Sequence, residues 1–387
     1  MKVVSSSLWI AALSLAILNG CNRGPTFKID ENAGEVSAAI ERFNDTAYAS
    51  YRDAWKAAEK LRVSIRSFLG KPSSKGLIEA RKAWANAHQA FAETEAIRIP
   101  GSPNHPSNPE SPYERVGLWP VTPSHLDSVP GSLRTGVVHD TTKSAQITQQ
   151  ILLDSHQPST GHIVMGFQAL EFMIYGFDQY DDGAGSRAFL DYSTDKLAKR
   201  RGQLLHLLAE NLTADLQDML AAWHPSNKGN HRDRMISQPH ATALAGIFGG
   251  LSDLCASGLN ATLTKALDSG KQSDEWCPSS DTSLVSLEHV IKGMQNVVLG
   301  IAPERAVDEA KKPLLELIAK ADPELANEIA AGLSALIIKF RSMGKPMDQL
   351  IKPDNADGRA RLQAVVAAVR AQGLLFEKAS KVLRLQG

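Results

Sequence analysis

Apolar residues recur along most of the chain at the three- and four-residue spacing of amphipathic α-helices. Alternating apolar and polar positions, the pattern of half-buried strands, are almost absent. The helical spacing predicts elements over 35–70, 76–98, 143–154, 161–176, 186–223, 239–268, 283–301, 304–343 with a break near Pro323, and 356–384. We therefore expect an all-α fold of packed helices.

A proline-rich segment interrupts this pattern between residues 99 and 136. Its prolines stand at positions 100, 103, 106, 109, 112, 120, 123 and 130. Irregular stretches of this length are usually either functional covers or disordered. We expect a covering loop, because Tyr113, Leu118 and Trp119 carry large apolar side chains that favour burial.

A second break, 225–239, is rich in Asn, Gly, Ser and charged residues, which is typical of a junction between domains. The break predicts two helical bundles, 31–224 and 239–387. The chain is long enough for each bundle to bury a substantial core.

The N-terminus has the pattern of a bacterial lipoprotein signal. Lys2 precedes an apolar run from Leu8 to Leu18, and this run ends in Leu18-Asn19-Gly20-Cys21. We expect residues 1–20 to be removed, Cys21 to be lipidated and 21–30 to form a tether to the membrane; a plain secretory signal is the alternative. Because Asn22 is not the aspartate that favours inner-membrane retention in enteric bacteria, we expect an outer-membrane lipoprotein facing the periplasm or the cell surface.

Charge and cysteine content narrow the function classes. The chain has 42 Lys and Arg residues against 42 Asp and Glu residues, without a dense basic stretch interleaved with aromatics, so nucleic acid is not an expected partner. Besides Cys21, the chain has Cys255 and Cys277. In an oxidising envelope compartment these two could form one disulfide, or they could remain free thiols.

A polar stripe stands out within the apolar helical stretch 166–176. Gln168, Glu171, Tyr175 and Asp178 are spaced three, four and three residues apart, so they share one helical face. A carboxylate buried there would have a raised pKa, pair with a cation or coordinate a metal. The alternative is that the stripe is the solvated face of an amphipathic helix.

Two further polar groups have simple structural explanations. Glu95 and Arg98 lie three apart at a predicted helix end and could form a surface ion pair, which would contribute little stability. Ser280 or Asp281 precedes the helix predicted from 283 and is a favourable N-cap residue.

The order of these groups resembles that of the imelysin-like proteins, also classed as peptidase family M75. The resemblance extends from about 34 to 385 and is carried by Ala83-Trp84, Phe91, Thr94-Glu95-Ala96, Arg98, Trp119-Pro120, Gly166 to Phe172, Arg200-Arg201, Trp223 and Ser280-Asp281-Thr282. It implies a bacterial envelope protein with two helical-bundle domains. The family signature, Gly-x-His-x-x-Glu, implies a metal ion, iron or zinc, near the junction of the domains.

This chain matches the signature at Gly166 and Glu171 but has Gln168 at the histidine position. A glutamine carbonyl is a weaker ligand for zinc, iron or copper than imidazole. Glu171 with Gln168 could hold a hard cation, or the two side chains could be hydrogen-bonded across one helical turn.

Three functions remain open from the sequence. The first, which we favour, is a lipid-anchored binding protein in iron or metal uptake, whose ligand is a metal ion, a metal chelate or a partner uptake protein. Its expected ligand-binding residues are Glu171, Gln168, Glu95, Arg98, Trp119, Ser280 and Asp281, with Glu171 as the metal ligand.

The second function is a metallopeptidase with a modified metal site, which requires a histidine or cysteine within ligand distance of Glu171. The chain has neither a His-Glu-x-x-His helix nor a Gly-x-Ser-x-Gly elbow, so the sequence itself favours binding over catalysis. The third function is a structural lipoprotein, which predicts an exposed Glu171 without a pocket.

Overall fold

The computed structural model describes residues 34–99, 102, 105, 111–131, 135–142, 145–179, 183–301 and 312–383. Within these ranges the chain is helical, and its extended pairing is limited to an isolated bridge between Gln157 and His162. The prediction of an all-α fold is confirmed. The expected signal peptide, Cys21 and the tether lie outside the described residues.

The first half of the chain is built around one long helix. In chain order its helices are α1 (Gly34–Gly70), α2 (Ser74–Glu93), α3 (Tyr113–Val116), α4 (Pro123–Leu126), α5 (Gln149–Ser155), α6 (Phe167–Tyr175) and α7 (Ala198–Ala221). α1 packs along both α2 and α7, and α6 lies against α2 and α7. Three 3-10 turns accompany them, at Thr94–Ile97, Pro158–Thr160 and Phe189–Tyr192.

The second half is a set of packed helices. They are α8 (His231–Ser237), α9 (His240–Asp253), α10 (Asn260–Ser269), α11 (Ser283–Leu299), α12 (Leu314–Ala321), α13 (Pro323–Arg341), α14 (Met347–Ile351) and α15 (Ala356–Val382). α15 packs against α9 and α13, and α13 packs against α11. A 3-10 turn, Gln272–Asp274, opens the connection from α10 to α11.

A π-helical turn, Leu254–Leu259, joins α9 and α10 into one helical run, His240–Ser269. Among the described helices, this run is the one long and apolar enough to cross a membrane. However, 56% of its most apolar window is buried inside the fold, as in the core helix of a soluble protein.

The two halves share one apolar core, which extends from Val36 in α1 to Leu383 after α15. α11 crosses α2 and the following turn Thr94–Ile97 at close range. At the crossing, Gly293 lies so near the backbone of Glu93 that a Cβ atom would overlap its carbonyl oxygen. Because the two halves share one core, the division into two domains at 225–239 remains a prediction.

The described part of the proline-rich segment packs on the first bundle. Tyr113 is buried and Leu118 and Trp119 are half-buried against the core, as the sequence predicts. The segment is fastened by Asp127, a buried carboxylate that accepts hydrogen bonds from Arg187 (2.9 Å) and Arg201 (2.6 Å).

Predicted helices agree with the structure best in α1 and α15, whereas the helix predicted over 186–223 begins only at Ala198. The helix predicted over 161–176 begins only at Phe167, because Gly166 has a φ of 92° and its Cα lies against the Val116 carbonyl. His162 lies before the helix, in the backbone bridge with Gln157.

Candidate functional site

The central feature of the site is α6, a short helix enclosed on all sides. Every residue from Phe167 to Tyr175 is buried, and Glu171 is only 1% exposed. Trp84 of α2 donates its indole N–H to the Phe167 carbonyl (2.9 Å) and thereby holds the start of the helix. The polar stripe is therefore not a solvated face, and the exposed Glu171 expected of a structural lipoprotein is not found.

Glu171 is held by the segment between α10 and α11. Its Oε1 accepts hydrogen bonds from the backbone N–H groups of Ser279 (3.1 Å) and Ser280 (2.8 Å) and from the Ser280 hydroxyl (2.7 Å). Burial raises the pKa of Glu171 to about 8, although these three hydrogen bonds favour the ionised form. Near neutral pH this carboxyl group is largely protonated.

Gln168 does not pair with Glu171. Its Nε2 lies 3.4 Å from Nε2 of His88, a fully buried histidine of α2, and its Oε1 is buried without a hydrogen-bond partner. His88 is in turn fixed by Ser286, whose hydroxyl lies 2.9 Å from Nδ1. Burial lowers the pKa of His88 to about 3, so the imidazole is neutral.

Sequence reasoning missed His88. It follows Trp84 by four residues, which places both side chains on one face of α2, and the imidazole stacks on the Trp84 ring at 5.1 Å. That spacing is visible in the sequence, but an apolar helix face gives no sign that its histidine meets the side chain at 168.

A second buried acid, Glu275, lies near Glu171. Its Oε2 accepts a hydrogen bond from the Ser283 hydroxyl (2.9 Å), whereas its Oε1 is buried without a partner. Burial raises the pKa of Glu275 well above its ordinary value, and the nearby acids Asp348, Asp281 and Glu171 raise it further. Electrostatically, this part of the fold is short of positive charge.

Gln168, Glu171 and Glu275 border one cavity of about 90 Å³. The other lining residues are mainly apolar or belong to the segment between α10 and α11: Pro120, Val121, Pro123, Phe172, Phe177, Asp178, Gln272, Ser273, Trp276, Pro278 and Ser279. The cavity therefore combines apolar walls with polar acceptors, the usual character of a small-ligand site. We call it the Glu171 pocket.

The structure separates Glu95 and Arg98 from this pocket. They border another cavity, of about 230 Å³, together with His105 and Asp253. Glu95 and Arg98 pair as the sequence predicts, with the guanidinium 2.6 Å from the carboxylate, but Glu95 is buried and the pair does not lie on the surface. Arg98 also stacks over the Tyr113 ring at 4.3 Å, so the pair joins α2 to the proline-rich segment.

Trp119 is near the Glu171 pocket but does not line it. Its neighbours Pro120 and Val121 form part of the wall, whereas the indole ring lies 5.4 Å from the Lys265 ammonium. The proline-rich segment therefore contributes Pro120 and Val121 to the pocket, and not the expected Trp119.

Neither Ser280 nor Asp281 caps α11. The N-cap position is Thr282, Ser280 binds Glu171 instead, and Asp281 has a left-handed backbone with a φ of 58°. Burial, together with Asp348 and Asp178, raises the pKa of Asp281 to about 7. The capping prediction is wrong because a distant carboxylate competes for the serine hydroxyl.

Cys255 and Cys277 are free thiols, so the disulfide considered from the sequence is not formed. Cys255 packs in the π-helical turn against Gly373 of α15, whereas the Cys277 sulfur lies 3.6 Å from Nδ1 of His88. Burial raises the pKa of the Cys255 thiol to about 12. The two side chains are fixed against different helices.

Comparison with known proteins shows to which family this chain belongs. The family model Imelysin (Peptidase_M75) matches residues 47–375 of the chain. The chain belongs to the imelysin family. Among curated proteins, none matches the sequence.

Two solved structures have the same fold as this imelysin. One is a candidate iron-regulated protein A precursor from Parabacteroides distasonis ATCC 8503, at 15% sequence identity and a TM-score of 0.66, with 89% of this chain and 95% of that chain covered. The other is an imelysin-like protein from Psychrobacter arcticum 273-4, at 14% identity and a TM-score of 0.62, with 91% and 96% covered.

The metal implied by the imelysin signature does not fit the side chains as they are arranged here. Among the described residues, no group of three or more His, Cys, Asp or Glu side chains is placed to hold a metal ion. Glu171 uses one carboxylate oxygen for Ser279 and Ser280, and Gln168 presents its amide nitrogen to His88. A catalytic zinc site needs three protein ligands and an open position, and this site does not supply them.

Proposed function

We propose that this imelysin is a lipid-anchored binding protein of the bacterial envelope that serves iron or metal acquisition through the Glu171 pocket. The ligand we expect is a hydrated metal ion or a metal chelate that brings its own N–H or O–H groups. The acceptors of the pocket would receive hydrogen bonds from these groups.

The observation that carries this proposal is the pair of buried oxygen atoms without partners, Gln168 Oε1 and Glu275 Oε1, in one pocket. An unsatisfied buried acceptor costs about 1–3 kcal/mol. A ligand that hydrogen-bonds to both oxygen atoms, accepting from Glu275 where that carboxyl group is protonated, would offset this cost, and the surrounding apolar walls would exclude competing water. A bare transition metal would instead need a preformed set of close ligands.

The iron and envelope parts of the proposal rest on other observations. One similar structure is named as iron-regulated, and it shares the fold at 15% identity. The segment Leu18-Asn19-Gly20-Cys21 supports processing and lipidation at Cys21, with outer-membrane delivery as the expected result.

The binding test uses the processed protein extracted in detergent, titrated by calorimetry with ferrous, ferric and zinc ions and with ferric citrate. We expect saturable binding of at least one of these to the natural protein and at least a tenfold weaker affinity in Glu171→Gln. Glu79→Gln, on the exposed face of α2, is the matched control and should bind like the natural protein.

The Gln168→His variant separates two explanations of a negative result. If this variant alone binds a metal ion, the natural chain has lost the family's metal function and the proposal is wrong. Absence of binding by the natural protein to every ion and to the chelate would likewise contradict it.

Anchoring is tested by membrane fractionation and by incorporation of labelled palmitate. We expect the natural protein to be labelled and membrane-bound, and Cys21→Ala to be unlabelled. Labelling that persists in Cys21→Ala would exclude lipidation at this cysteine.

A further inference from the structure

The ionisable residues that line the Glu171 pocket are all acidic. They are Glu171, Asp178 and Glu275, and the lining includes no Lys, Arg or His side chain. The lining residues therefore carry either no net charge or a negative one, whatever the protonation state of these three acids. Of all charged groups, a cation is the one that such a lining favours.

Glu171 offers one oxygen atom to a molecule in this pocket. Its Oε1 is committed to Ser279 and Ser280. Its Oε2 has no hydrogen-bond partner within the described part of the chain, and it is not among the polar atoms that are sealed from solvent. Because the residue is 1% exposed and lines the pocket, Oε2 is a buried acceptor that a ligand can reach from the pocket.

Aromatic rings form part of the wall around this acceptor. Phe172, Phe177 and Trp276 line the pocket. The Arg187 guanidinium already lies over the Phe172 ring at 5.3 Å, which leaves Phe177 and Trp276 for a ligand. Phe177 is also 44% exposed, so it lies where the pocket meets solvent. Ring faces attract cations, and an ammonium group is the cation that proteins most often bind between aromatic side chains.

The size of the pocket and its single open carboxylate oxygen narrow the kind of cation. A cavity of about 90 Å³ is well below the roughly 300–1,000 Å³ of sites for drug-sized ligands, so it admits only a small group. A guanidinium group binds a carboxylate best through both oxygen atoms, and Glu171 has one left. An ammonium group is compact, and each of its N–H groups can donate to a single oxygen atom.

We infer that the group of the ligand that enters the Glu171 pocket is a primary ammonium group on a short aliphatic stem, which donates an N–H to Glu171 Oε2 and lies against Phe177 and Trp276. This inference rests on the proposed binding function and names its ligand class: a small free amine or the amine arm of a metal chelate. The bound ammonium group would also lower the pKa of Glu171, because an opposite charge favours the ionised carboxylate.

The first test needs only the natural protein. The processed protein is titrated with propylammonium chloride at constant ionic strength and followed by calorimetry. Two matched probes are propan-1-ol, which has a similar size without the charge, and tetramethylammonium, which has the charge without an N–H. We expect saturable binding of propylammonium and an affinity at least about tenfold weaker for each matched probe. No saturable binding of propylammonium, or equal binding of either matched probe, would overturn the inference.

Variants then place the binding in the pocket. Glu171→Gln should bind propylammonium at least about tenfold more weakly, whereas Glu79→Gln should bind it like the natural protein. Phe177→Leu keeps an apolar side chain at a partly exposed position but removes the ring, and should weaken binding about two- to fivefold. Leu190→Ala, at an exposed position outside the pocket, is its control. Unchanged affinity in both Glu171→Gln and Phe177→Leu would contradict the inference.

Ferrioxamine B, a ferric trihydroxamate with a free terminal ammonium group, and its N-acetylated form distinguish the two sources of the amine. Tighter binding of the free form assigns the ammonium group to a chelate arm, and binding of propylammonium without either chelate assigns it to a small amine. Binding of ferric citrate or a metal ion without propylammonium binding would overturn this inference and leave the proposed function standing. Binding of propylammonium without any metal ion or chelate would uphold the inference and contradict the role in metal acquisition.

Discussion

Asp127 and Glu171 are both carboxylates that are 1% exposed, yet the fold treats them in opposite ways. Asp127 receives two guanidinium groups, from Arg187 and Arg201, and the ring of His139 at 3.0 Å. Glu171 receives hydrogen bonds from Ser279 and Ser280, which carry no charge.

The two pKa values record this difference. Burial by itself would raise both values. At Asp127, the hydrogen bond from Arg201 and the charges of Arg187 and Arg201 outweigh burial and lower the pKa to about 2. At Glu171, burial dominates and the pKa rises to about 8. Asp127 thus stabilises the fold through buried ion pairs, whereas Glu171 has no countercharge. The second arrangement is the one expected where a ligand supplies the positive charge.

The largest expected effect follows from breaking the Asp127 cluster. Asp127→Ala removes the buried carboxylate that Arg187 and Arg201 share and leaves them only the more exposed Asp191 and Asp195, which should lower the free energy of unfolding by about 3 kcal/mol. Urea denaturation measures this change, with Asp268→Ala, an exposed aspartate near the end of α10, as the control. A decrease in the free energy of unfolding of less than about 1 kcal/mol would show that the ion pairs of Asp127 do not stabilise the fold.

The next effect concerns pH. Because the pKa of Glu171 is higher in the folded chain than in the unfolded chain, its contribution to stability is full below about pH 4.5 and declines until about pH 8. The side chain of Glu171→Gln cannot ionise. Between pH 5 and pH 9 the free energy of unfolding should therefore fall less in this variant than in the natural protein, and the difference between the two decreases should be at least about 2 kcal/mol. Urea denaturation at several pH values tests this, and parallel profiles for the two proteins would contradict it.

The smallest effect is expected at Ser280. Ser280→Ala removes one of the hydrogen bonds to Glu171 Oε1 but keeps the two backbone donors, so it should cost about 1 kcal/mol. It should also raise the pKa of Glu171 further, because the lost bond favours the ionised form. Denaturation at pH 7 measures the first effect, with Ser67→Ala on the exposed face of α1 as the control; equal stability of the two variants would contradict it.

Periodicity was a sufficient guide to the fold because it depends on local spacing. α1 and α15 agree with their predicted ranges to within two residues at each end. The shorter elements depend on backbone conformation at single positions. α6 begins six residues later than predicted because of the left-handed glycine at 166.

The site was predictable only in part, for a physical reason. The spacing of Gln168 and Glu171 shows that they share a helix face, but it does not show whether water or another segment covers that face. The covering groups come from positions more than a hundred residues away, such as Ser280. For the same reason, local spacing does not show that Glu95 and Arg98 are buried, since Tyr113 covers Arg98. Nor does it show that Ser280, a favourable capping residue, binds Glu171.

Gly293 has a consequence for how a ligand would enter. With the backbone of α11 in direct contact with the end of α2, the two halves of the molecule cannot slide past each other without losing that contact. Entry into the Glu171 pocket would then depend on the stretches outside the long helices that line it, at Pro120 and Val121 and at Gln272 and Ser273. Ligand exchange would be governed by these two short stretches of chain, and the helices behind them would act as a rigid frame.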